Sequence, residues 1–214
     1  MTDPRRLVAY SRAARRRPDH HGSMSAETLW RGRLTERWLP AGLGAAWVRA
    51  YAAVWTLTLV PAAVIALAGH PLTQPARQLL ELTLTAQNNA PPQLAHVLGL
   101  AAHNIPIVSW PLLLGVLGAH RNRLAQHVTD GFVLVWLVAN TLPVGAALGA
   151  YGVAVVPYLP HLPPEWGGLA LGVSGWLAQR RRALTVRQGV GVFVLIVCVL
   201  LCAGVLETFA VPHR

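Results

Sequence analysis

From Val190 to Leu206 the chain carries no charged side chain, and further long apolar runs precede it. About 20 apolar residues in a helix cover the roughly 30 Å hydrocarbon core of a bilayer. Charged residues make up only 12% of the chain, against about 25% in soluble domains. A chain of 214 residues could bury a core in water without such runs. The expected class is therefore all-α: a polytopic membrane helix bundle whose first partner is the lipid bilayer.

All 18 basic residues are arginine, and the formal net charge is +10. That charge would suit nucleic acid, but the arginines cluster in the amino-terminal arm and in short loops between apolar runs. This is how cytoplasmic flanks of membrane helices are marked, and no basic domain interleaved with aromatics accompanies them. No nucleic-acid partner is expected. Arg5, Arg6, Arg12 and Arg15 to Arg17 interrupt any apolar stretch near the start, so a secretory signal peptide is not expected there.

Residues 1–42 read as a cytoplasmic, Arg-rich arm. Between Ser25 and Leu39, apolar Leu29, Trp30, Leu34, Trp38 and Leu39 alternate near helical spacing with Arg31, Arg33, Glu36 and Arg37. That pattern fits an amphipathic helix on the inner membrane surface or one packed on the loops. Residues 43–214 read as a transmembrane domain of about five helices, over approximately 45–68, 94–117, 132–155, 163–179 and 190–211. With the amino terminus inside and the carboxyl terminus outside, 16 arginines lie on the cytoplasmic side and only Arg77 and Arg214 lie outside. The fourth segment is short and glycine-rich. Were it to turn back, Arg180, Arg181, Arg182 and Arg187 would fall outside, against the bias. The 70–93 connection is the longest, and Ala76–Thr85 within it reads as a surface helix or a plain linker.

Polar side chains in lipid are costly, so each needs a reason. Asn104, beside His103, lies roughly 15 Å into the second span, and Asn140 roughly 12 Å into the third, at ~1.5 Å per residue. An interhelical hydrogen bond between their amides is the simplest expectation, with a substrate or ion pathway as the sharper one. Gly145 and Gly149, and Gly168 and Gly172, form two GxxxG pairs suited to close helix packing. On the outer face a cluster is expected from Pro160, His161, Glu165 and Glu207. His161 and Glu165 are four apart and share a face if helical. A structural or partner-binding role is favoured there over a metal, because two or three ligands with a single His make a weak set.

No catalytic residues, metal or cofactor are expected. Gly172-Val173-Ser174-Gly175 matches the GxSG of rhomboid intramembrane proteases. Those enzymes need a His on a later helix to activate the Ser, and here only His213 follows. Cys198 and Cys202, four apart in an apolar run, read as small packing residues.

Two outer segments carry a resemblance. Pro160-His161-Leu162-Pro163-Pro164-Glu165 is similar to a Pro-His-Gly-x-x-Glu motif, and Leu206-Glu207-Thr208-Phe209-Ala210-Val211-Pro212 to Ile-Glu-x-Phe-x-x-Pro. Asn104, and Asn140 with Gly145, match polar positions of earlier spans. Together they resemble the stage II sporulation protein M family over about 94–212, with Leu162 where Gly is usual, Thr141 for the Gly after Asn, and Leu206 for Ile. The resemblance implies a multi-pass protein of the bacterial plasma membrane. It also implies a non-enzymatic scaffold that docks membrane or extracytoplasmic proteins, of cell-wall remodelling type in the namesake; apart from the resemblance, a second copy of the chain is a further candidate partner. The alternative it leaves open is a membrane subunit for transport, or for bacteriocin maturation and export, working with a separate ATPase.

Overall fold

A computed structural model describes residues 38–40, 42–84, 93–116, 122–181 and 184–210. The described residues form six α-helices and no strand. They are α1 (Leu43–Ala68), α2 (His70–Leu84), α3 (Leu94–Val116), α4 (Arg123–Tyr151), α5 (Leu162–Arg180) and α6 (Val186–Ala210). Two 3-10 turns, Gly152–Ala154 and Val156–Tyr158, join α4 to α5. By length and composition α1, α3, α4 and α6 are long and apolar enough to cross a membrane.

α5, 19 residues long, is the centre of the bundle. α5 packs against α1, α3 and α6, while α3 and α6 also pack on each other. α4 lies against α1, and α2 against α4. Of the 19 residues of α5, 12 are buried, so it meets protein on nearly every side. Small residues make this possible. A Cβ at Gly172 would land on the carbonyl oxygen of Val108 in α3, and one at Gly168 would press on Val108 and Leu200 at 3.4 Å. Across the bundle, Gly145 and Gly149 let α4 lie against the carbonyls of Thr58 and Ala62 in α1. Both GxxxG pairs thus sit at helix crossings, where close backbone approach is what holds helices together in lipid.

Two helices begin several residues earlier than the sequence expectation, each at a side-chain cap. α4 begins at Arg123, well ahead of Phe132, because the Asn122 side chain accepts from Leu124 N at 2.9 Å. It ends at Tyr151, before Val155, where Gly152 takes φ 57. α6 begins at Val186 rather than Val190. Thr185 and Gln188 form a reciprocal cap there, with Thr185 N donating to Gln188 Oε1 at 3.0 Å and Gln188 N donating to Thr185 Oγ1 at 3.3 Å. The 70–93 connection is helical over His70–Leu84, set off from α1 by Gly69 at φ 66. The Arg77 guanidinium donates twice to Ala150 O, at 3.0 and 2.8 Å, and lies over the Tyr151 ring. A cation at the carbonyl-rich end of α4 is favoured by its dipole. α2 is therefore docked rather than trailing.

Two expectations fall differently. Cys198 and Cys202 are exposed on α6 instead of packing inside. The inner face of α6 is taken by Val192, Ile196, Leu200 and Ala203, on a different stripe of the helix. The amphipathic helix expected over 25–39 lies outside the described residues except for Trp38 and Leu39, and Trp38 stacks under Arg187 at 3.9 Å.

Gly172→Leu should destabilise the bundle by about 1–3 kcal/mol or more through overpacking. It would be seen as a lower melting temperature in detergent. Gly99→Ala, where a Cβ would meet nothing within 4 Å, should not lower it.

Candidate functional site

The turn from Leu159 to Glu165 sets up the site. Leu162 N donates to Leu159 O at 3.0 Å and Glu165 N to His161 O at 3.1 Å, while prolines 163 and 164 fill the positions between. His161 itself has helical dihedrals, φ −77 and ψ −19. It therefore presents its ring on the same face as Glu165, and His161 Nε2 lies 3.9 Å from Glu165 Oε2. From α6, Glu207 closes the group, and one donor atom from each of His161, Glu165 and Glu207 lies within 4.8 Å of the others. All three side chains are half-buried. Burial lowers the basicity of His161, and the Glu207 carboxylate opposes that shift. Its Nδ1 is buried without a hydrogen-bond partner. Pro160 is half-buried in the turn beside it.

A fourth member joins from α3. Asn104 Nδ2 donates to Glu165 Oε1 at 3.3 Å. This overturns the expected Asn104–Asn140 pair, because Asn140 Nδ2 instead donates to Trp136 O of its own helix at 2.7 Å. The reason is a stagger. α3 and α5 run the same way, with Gly172 against Val108 and Gly175 against Leu112. α3 therefore starts well before α5, and a residue roughly 15 Å along α3 sits level with the first turn of α5. The midplane and outer-face groups separated in the sequence are, for Asn104, one group. His103 points the other way and is exposed.

What holds the start of α5 in place was not picked out from the sequence. Trp47, Tyr51 and Trp55 recur every four residues along α1. Trp47 stacks on Tyr51 at 5.0 Å between ring centroids, and Tyr51 meets Trp55 edge-on at 6.2 Å. Trp47 Nε1 donates to Gly167 O at 3.0 Å, and Tyr51 Oη to Pro163 O at 3.3 Å. The four-residue aromatic spacing was the available signal. The far end of α5 is pinned by Asp130 of α4, which accepts from Trp176 Nε1 at 3.1 Å and pairs with Arg180 at 2.9 Å. The Ser174 hydroxyl is buried and donates to Ala170 O at 2.6 Å, a contact within its own helix.

Comparison with protein-family models, curated proteins and solved structures finds no match.

His161→Ala and Glu207→Ala should destabilise less than additively when combined, since contacting residues couple by about 0.5–3 kcal/mol. Full additivity in thermal unfolding would place them in separate sites. By the same measurement Asn104→Ala should couple to Glu165→Gln and not to Asn140→Ala.

Proposed function

We propose that this chain is an integral protein of the bacterial plasma membrane that crosses the bilayer five times, amino terminus inside. It acts as a non-enzymatic scaffold that docks membrane or extracytoplasmic proteins. The observation that carries the reading is how its polar groups are spent. Buried Thr58, Ser109, Thr141 and Ser174 each donate to the carbonyl four residues earlier in their own helix. Two polar groups remain: the Asp130–Trp176–Arg180 clamp at the far end of α5, whose members satisfy one another, and the small group at its start, where His161 Nδ1 is buried without a partner. A bundle filled this way is a rigid body with one specialised end, which suits docking.

Two arguments support the fifth crossing. At ~1.5 Å per residue, the 19 residues of α5 reach about 28 Å, close to the roughly 30 Å of the hydrocarbon core. A helix enclosed by protein does not need an apolar surface, so its weak hydropathy is no obstacle. The arginine bias favours the same layout. The resemblance to the stage II sporulation protein M family points to the scaffold class. The transport reading drew on Asn104 and Asn140 sharing a midplane path, and Asn140 bonded to its own helix weighs against it.

A photo-crosslinker placed at Val156, 56% exposed in the turn beside the cluster, tests the docking claim against one at Leu134, 58% exposed on α4. In native membranes the expected result is one reproducible crosslinked protein from Val156 alone, lost in Glu207→Ala. Identical products from both positions, or none, would count against docking at this end.

A further inference from the structure

Two carboxylates, an imidazole and an amide converge from three helices with no arginine among the described residues paired to them. We propose that His161, Glu165 and Glu207 bind one divalent transition-metal ion, zinc foremost, with Asn104 orienting Glu165. The ion would tie the first turn of α5 to the last turns of α6.

Charge balance is the first argument. Two half-buried carboxylates side by side call for a balancing positive charge or for hydrogen-bond donors. Helix starts often supply such donors as free backbone N–H groups, but this one has none to offer. Leu162 N and Glu165 N are already bonded, to Leu159 O and His161 O, and positions 163 and 164 are prolines without an N–H. The compensation must therefore come from a cation or a proton. A divalent ion with two carboxylates and a neutral imidazole is neutral as a set, which suits a partly dehydrated place.

Geometry is the second. Tetrahedral zinc with bonds of about 2.1 Å holds its ligand atoms about 3.4 Å apart. His161 Nε2 and Glu165 Oε2 stand at 3.9 Å, and the whole donor set lies within 4.8 Å, so rotamer adjustments suffice to close on an ion. One imidazole with two carboxylates favours zinc or manganese over calcium or magnesium, which prefer oxygen alone. The Asn104 amide bonded to Glu165 is the outer-shell contact that fixes a ligand's orientation. Three protein ligands leave a fourth position for water or for a group from another molecule. The site stands whether or not the protein docks partners.

The test is calorimetric titration of zinc chloride into the full-length protein, purified through a histidine-free tag and stripped with EDTA. The expected result is saturable uptake of one ion per chain, with a zinc-dependent rise in melting temperature. Glu207→Gln and His161→Ala should each weaken uptake by more than about tenfold, and Asn104→Ala by about 10–100-fold as an outer-shell loss. His127→Ala, an exposed residue of α4, should leave it unchanged. No saturable uptake by the unmutated protein would overturn the proposal and assign the compensation to a proton. Uptake undiminished in the His161→Ala/Glu207→Gln double variant would overturn it equally.

Discussion

Inside lipid, apolar surfaces gain little from meeting one another, so helices are held by close van der Waals contact and by hydrogen bonds across their interfaces. In this chain those contacts concentrate on α5. Its glycines let α3 approach until Gly172 lies against the Val108 carbonyl, and Gly175 lies against Leu112 and Val192. Trp47 and Tyr51 hold its beginning through backbone carbonyls, and Asp130 holds its end through Trp176 and Arg180. Take α5 away and α1, α3 and α6 lose their common neighbour.

The same arrangement places the polar group. The start of α5 carries His161 and Glu165 into the bundle, and the two prolines there fix its path while removing donors. The stagger between α3 and α5 then brings Asn104 to Glu165. α6, running opposite to α5, delivers Glu207 near its own far end. The group is thus a product of helix register, and each of its members comes from a helix packed directly on α5 or from α5 itself.

Much of this was legible in the sequence, because lipid imposes length and composition directly. The apolar runs located the four long helices, and the two GxxxG pairs located crossings. The four-residue spacing of His161 and Glu165 indicated a shared face. The order along the chain could not supply relative depth. The sequence pairs Asn104 with Asn140 by similar depth into their expected spans, a rule that fails when helices begin at different levels, as α4 does at Arg123. Caps at Asn122 and Thr185 moved two boundaries because side-chain hydrogen bonds extend helices into polar sequence. The aromatic stripe on α1 is hard to read because aromatic residues in an apolar run look like ordinary filling, although the hydrogen-bonding edges of Trp47 and Tyr51 are what grip α5.

The account rests on α5 passing through the membrane as the pillar of the bundle. The direct measurement is labelling of single cysteines, in a chain with Cys198 and Cys202 replaced by Ala, by a membrane-impermeant maleimide in intact cells. Pro160→Cys should react from outside, whereas Arg181→Cys should react only after permeabilisation. Reaction of both from the same side would mean that α5 turns back, and the central claim would fail.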